Sequence, residues 1–272
     1  MRAVPYFFRL ATALSFAATA AAVAIAPASA QNTAAHQASA VACSAPADLV
    51  RLVNPLKRVA QRVAAGQPLT IVAIGSSSTA GAGASSPAMN YPSRLAVELQ
   101  AMYPSLAVTV FNRGVNGEES HDMLARFDRD VFAQNPDLVL WQVGSNSVLR
   151  DRPLREANTS LRDGLKRLRE AGSDVVLINP QYAPKVITKH DVDGMVDLIH
   201  LTAKETNVDL FERFAVMRYW RLTEDIPFST FISPDELHMN DWSYGCIAKL
   251  LAGAIHEAAG RSTVTATAHG RQ

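Results

Sequence analysis

The spacing of apolar residues along the chain switches between two periods. Short apolar runs with β-branched residues at 70–74, 107–111, 138–143, 174–179 and 208–211 predict buried strands, the fourth stopped by Pro180. Helical spacing separates them. Residues 91–102 and 119–132 read as helices. Residues 153–170 form an amphipathic helix with Leu154, Ala157, Leu161, Leu165 and Leu168 on one face and Pro153 suited to the first turn. Val192, Met195, Val196, Ile199 and Ala203 make the apolar face of the next helix. A last helix over 241–259 turns Ile247, Leu250, Leu251, Ala254, Ile255 and Ala258 inward. No internal repeat is visible. This alternation predicts one α/β domain over 46–259, with a parallel sheet of about five strands between two helical layers. In such folds a ligand sits beyond the carboxyl ends of the strands.

Both ends fall outside that pattern. Arg2 and Arg9 give residues 1–30 a basic start, an alanine-rich apolar run follows, and Ala28-Ser29-Ala30 offers a cleavage site before Gln31. This reads as a secretory signal peptide and predicts a secreted or periplasmic protein with no stable membrane span after cleavage. Residues 31–45, rich in Ala, Gln and Ser, read as a flexible arm, and 260–272 as a flexible polar tail. The formal net charge is +1. Without the two leader arginines it is near neutral, which argues against nucleic acid and against binding an anionic membrane by charge alone. Cys43 and Cys246 are the only cysteines. In an oxidising compartment they are candidates for a disulfide, the alternative being two separate thiols. No metal-ligand cluster is visible.

Four short segments carry the candidate chemistry: Gly75-Ser76-Ser77-Ser78-Thr79, Gly117, Gly144-Ser145-Asn146 and Asp235-Glu236-Leu237-His238. They supply a hydroxyl nucleophile, a backbone amide, a side-chain amide and an acid–histidine pair, the parts needed to attack an acyl carbon and hold the oxyanion. The first three follow the first three strands, so they converge on one rim. Of the domain's histidines, only His238 has an acid three residues before it in a loop preceding a helix. His121, His200 and His256 read as surface or packing residues. Trp141 reads as core, and Asp241 as a cap of the last helix, a role it could share with Asn240.

These segments resemble the SGNH hydrolases, also called the GDSL esterase/lipase family. The family's Gly-Asp-Ser-x-(Ser/Thr) block stands as Gly75-Ser76-Ser77-Ser78-Thr79, its second block as Asn112-Arg113-Gly114-Val115-Asn116-Gly117, its third as Gly144-Ser145-Asn146-Ser147, and its Asp-x-x-His as Asp235-Glu236-Leu237-His238. The resemblance implies a three-layer, flavodoxin-like α/β/α sandwich. It implies Ser77 as nucleophile, His238 as general base and Asp235 as the acid that orients it. The oxyanion hole would comprise the N–H groups of Ser77 and Gly117 and the side-chain amide of Asn146. Two positions depart from the pattern: Ser76 stands for Asp beside the nucleophile, and Ser147 stands where Asp often follows the asparagine. Tyr182, His190 and Arg113 lie near the rim and are candidates for substrate contact.

The expected activity is that of a serine esterase forming an acyl-enzyme without metal or cofactor. With an export signal and no large apolar lid over 180–191 or 222–234, the expected substrate is a short acyl ester, such as O-acetyl on a polysaccharide. The same triad would serve a polysaccharide O-acetyltransferase, or a lipase or thioesterase on longer acyl chains. A non-catalytic glycan-binding module is the remaining reading.

Overall fold

The computed structural model describes residues 41–269, with side chains as far as Arg261. The segment read as a signal peptide and most of that read as an arm lie outside the described residues. Strands β1 (Leu69–Gly75), β2 (Val108–Gly114), β3 (Leu138–Gln142), β4 (Asp174–Ile178) and β5 (Asp209–Phe211) form one sheet in the order β2-β1-β3-β4-β5. All neighbouring strands are parallel. β3 is buried at every position, and Ile71, Val72, Ala73 and Ile74 of β1 are fully buried. Helices on both faces explain why these strands read as continuous apolar runs without alternation. The strand order reverses between β1 and β3, and this places a crevice at their carboxyl ends.

The helix Leu154–Glu170 buries Leu161, Leu165 and Leu168. Gly164 lies on the same face, where a Cβ would stand 2.2 Å from Cη2 of Trp141. Trp141 is fully buried and donates its indole N–H to Met123 Sδ at 3.2 Å, so it belongs to the core.

The elements differ from the apolar pattern in several places. The helix expected over 119–132 is broken into Ser120–Ala125, Phe127–Asp130 and a 3₁₀ turn at Phe132–Gln134. Met123, Phe127 and Val131 are all buried, so the four-residue spacing continues across the break and conceals it. At the break the Arg126 guanidinium turns inward to Glu118, Asp130 and the carbonyl of Arg113. Two helices, Lys57–Ala64 and Arg213–Leu222, had not been expected. The first buries only Val59 and Ala60, and tertiary bonds anchor it: Asp174 accepts the N–H groups of Arg58 and Val59 at 2.9 and 3.0 Å, while Asp137 accepts Arg58 and Arg62.

Cys43 and Cys246 form a disulfide, and Trp242 and Trp220 donate to the carbonyls of Val41 and Ser44, so residues 41–45 are held against the domain. The last helix runs from Asp241 to His269, through most of the segment read as a polar tail. Extending a helix that packing has already nucleated needs no further apolar face. Asn240, not Asp241, caps this helix: its Oδ1 accepts the Ser243 N–H, while the Asp241 carboxylate takes both the N–H and the hydroxyl of Ser85. No helix among the described residues is long and apolar enough to cross a membrane.

Candidate active site

β1 ends at Gly75 and the chain turns at once into the helical turn Ser77–Ala80. Ser76 is buried, and its N–H and hydroxyl both donate to Gln142 Oε1, at 2.8 and 2.9 Å. A backbone N–H can only donate, so this pairing also fixes which way the Gln142 amide faces. Ser77 is left at the rim, half-buried, as the first residue of the turn.

Ser77, His238 and Asp235 form one chain of hydrogen bonds. His238 Nε2 lies 2.9 Å from Ser77 Oγ, and Nδ1 lies 2.5 Å from Asp235 Oδ2. The histidine loop is stiffened from within. Asp235 Oδ1 accepts the N–H groups of Leu237 and His238, Glu236 takes a positive φ of 61°, and Ser233 N–H closes the loop on the His238 carbonyl. Burial alone would raise the Asp235 carboxyl. The hydrogen bonds from the His238 backbone and ring and from Leu237 outweigh it and hold the group below its ordinary range, so it stays ionised beside the imidazole.

The other histidines whose side chains are described are engaged elsewhere. His121 pairs with Asp122, His190 with Asp191, His200 with Glu212, and His256 with the Tyr103 hydroxyl.

The loops after β2 and β3 meet each other. Gly117 has φ +80°, a conformation that disfavours any side chain. Asn146 donates from Nδ2 to the Glu118 carbonyl at 2.8 Å, which fixes the amide plane and leaves its second N–H free for a ligand. Glu119 joins the two loops. It is buried and accepts Ser147 Oγ at 3.0 Å, Arg150 at 2.8 Å and Arg152 at 3.3 Å. Burial pushes its carboxyl up, but the bonds from Arg150, Ser147 and Arg152 prevail and keep it low.

The remaining candidates have neighbours of their own. The Tyr182 ring packs between Phe214 and Phe228. His190 is almost fully solvent-exposed. The Arg113 guanidinium stacks on the Phe111 ring. Sequence reasoning did not single out Glu119, Gln142, Gln181 or Arg213, all of which bond to residues flanking the site. A polar glutamine closing an otherwise apolar strand was the one available signal, at Gln142. Among the described residues no group of three or more His, Cys, Asp or Glu could hold a metal ion.

Comparison with known proteins shows the family and the fold. The model of the non-GDSL lipase-like family matches residues 42–261. An acetylxylan esterase of Geobacillus stearothermophilus is 35% identical over 94 residues, which is 31% of this chain and 43% of that protein. An arylesterase of Vibrio mimicus is 27% identical over 107 residues, 39% of this chain and 53% of that protein. The chain thus spans about half the length of these curated relatives. The fold is shared with a two-domain esterase active on acetylated mannans, at a TM-score of 0.66 and 20% identity over 77% of this chain and 56% of that one.

Proposed function

The chain belongs to the non-GDSL lipase-like family of SGNH-type hydrolases, and from that premise we propose that it is an exported serine esterase that removes short acyl groups, such as O-acetyl, from carbohydrate. The observation that carries this reading is the continuous hydrogen-bond chain Ser77–His238–Asp235 at the carboxyl end of β1. With Nδ1–H donated to Asp235, Nε2 is the acceptor that faces the serine hydroxyl.

The chemistry then runs in two halves. Ser77 Oγ bonds to the ester carbonyl carbon while its proton passes to His238 Nε2. The oxyanion so formed accepts from the N–H groups of Ser77 and Gly117 and from the free N–H of the Asn146 amide. Collapse breaks the carbon–oxygen bond to the leaving alcohol, which takes the proton from His238. Water repeats the sequence on the acyl-serine and releases the acid. Asp235, held ionised, favours the imidazolium at each proton transfer.

The carbohydrate assignment rests on the relatives that act on acetylated xylan and mannan. Export rests on the leader pattern of residues 1–30 together with a disulfide, which suits an oxidising compartment. The test is hydrolysis of nitrophenyl esters from acetyl to decanoyl, and of acetylated xylan and mannan, by the chain from Gln31 onward beside Ser77→Ala. The expected result is turnover greatest at acetyl, release of acetate from glycan, and at least a ~10³-fold loss in the variant. A rate rising steadily toward decanoyl would sink the short-acyl assignment, and full activity in Ser77→Ala would sink the mechanism.

A further inference from the structure

Arg213 opens the helix Arg213–Leu222 and is completely buried. A buried guanidinium is ordinarily matched by a carboxylate. Arg213 has none among its hydrogen-bond partners. Its Nε donates to the Asn179 carbonyl at 3.0 Å, Nη1 to Ser78 Oγ at 3.0 Å and Nη2 to Gln181 Oε1 at 3.1 Å. The neighbouring phenols of Tyr91 and Tyr244 do not neutralise it, because burial raises both and keeps them protonated. Burial lowers the guanidinium to about 10, so it remains a cation at neutral pH. A cation kept in the interior with no counter-ion among the described residues calls for an explanation beyond stability, since a well-packed apolar side chain would serve stability as well.

Its partners supply one. Ser78 follows Ser77 in the chain. Gln181 Oε1 also accepts Ser145 Oγ at 2.8 Å, and Ser145 precedes Asn146. Gln181 Nε2 donates to the Leu237 carbonyl at 3.2 Å, and Leu237 precedes His238. One residue beside the serine, one beside the asparagine and one beside the histidine are therefore bonded to a single buried guanidinium–amide pair. The three belong to three different loops. The planar fork of arginine can meet three acceptors at once in fixed directions, which a lysine ammonium on a flexible stem cannot do.

We propose that Arg213, acting with Gln181, is a positioning residue that sets the Ser77–His238 distance by tying the nucleophile turn, the asparagine turn and the histidine loop to one buried anchor. The proposal rests on the esterase reading above. Arg213 touches no reacting atom, so its effect falls on the rate of attack and not on substrate affinity.

The test uses Ser78→Ala, which removes one acceptor with little change of volume, and Arg213→Lys, which keeps the charge and loses the fork. Wild type and Ser77→Ala are the controls. For each, kcat and KM on nitrophenyl acetate and the rate of Ser77 labelling by a serine-directed phosphonate are measured well below the melting temperature. Both test variants are expected to lose about tenfold to a hundredfold in kcat and in labelling rate together, with KM changed less than about twofold. The double variant should lose no more than Arg213→Lys alone, because the one bond that Ser78→Ala removes is among those lost with the fork. Folded variants with lower melting temperatures but wild-type kcat and labelling rate would overturn the proposal, and Ser78→Ala alone decides it if Arg213→Lys does not fold. Wild-type turnover tests the esterase reading separately: its absence would remove both, whereas active wild type beside fully active Ser78→Ala would remove only the positioning role.

Discussion

Ser147 and Ser76 stand where the family pattern has or often has aspartate, and each hydroxyl donates to an oxygen that can only accept. Ser147 donates to the Glu119 carboxylate and Ser76 to the Gln142 amide oxygen. An aspartate at either position would set acceptor against acceptor. Both departures are therefore consistent with an intact site whose supporting partners have changed with them. Ser147→Asp is expected to destabilise the protein by roughly 1–3 kcal/mol more than Ser147→Ala, because a second carboxylate beside Glu119 is repelled or must take up a proton. Urea unfolding of the two variants measures the difference, and equal midpoints with equal slopes would contradict the argument. Ser77, Gly117, Asn146, Asp235 and His238 are legible in the sequence as candidates because each lies in a short segment of recognisable composition. Glu119, Gln181 and Arg213 are not, since their importance comes from partners up to 135 positions away in the chain.

Among the elements, Leu154–Glu170 shows how packing reverses an intrinsic preference. Alanine is normally better than glycine inside a helix by about 1 kcal/mol. At Gly164 the added methyl would collide with the buried Trp141 ring. Gly164→Ala is therefore expected to cost a net of about 1–3 kcal/mol, the range for overpacking a tight core. Gly253→Ala, in the last helix with nothing within 4 Å of the new methyl, should gain up to about 1 kcal/mol. Thermal melting of the pair checks both signs; a stabilised Gly164→Ala would mean that the Trp141 ring can move. The strands and the long amphipathic helices were readable because burial on one or both faces imposes a period on the sequence. The break at Arg126 and the helix Lys57–Ala64 were not, because side-chain bonds to distant groups define them.

Across the whole molecule, the carboxyl ends of the strands hold the candidate chemistry and the amino ends hold a set of aspartates, Asp137 and Asp209 buried and Asp174 half-buried. Asp137 precedes β3, Asp174 begins β4 and Asp209 begins β5. They accept hydrogen bonds from the residues around the helix Lys57–Ala64. Burial raises the Asp174 carboxyl from 3.8 to about 6, with the nearby Asp209 adding to the rise against the bonds from Val59 and Arg58. The native state therefore binds more protons here than the unfolded chain between pH 3.8 and about 6, so this group's contribution to stability falls as pH rises through that window. Asp235 and Glu119, both held low, contribute the opposite slope. The informative quantity is the stability of wild type relative to Asp174→Asn, whose amide oxygen can still accept from the helix. That difference is expected to decline by at most about 1.4 kcal/mol per pH unit between roughly pH 4 and 6 and to level off above. Denaturant unfolding across that range measures it, and a difference that rises with pH would show that Asp174 is stabilised as a carboxylate.

The sequence by itself determined the alternation of strand and helix, the parallel sheet and the chemical identity of the four site segments, because periodic burial and functional-group chemistry are local properties of the chain. The strand order, the meeting of loops separated by 161 positions at Ser77 and His238, the break at Arg126 and the buried guanidinium behind the serine were decided only in three dimensions. Each depends on which distant groups become neighbours when water is excluded, and hydrogen-bond partners and charge compensation are set at that step.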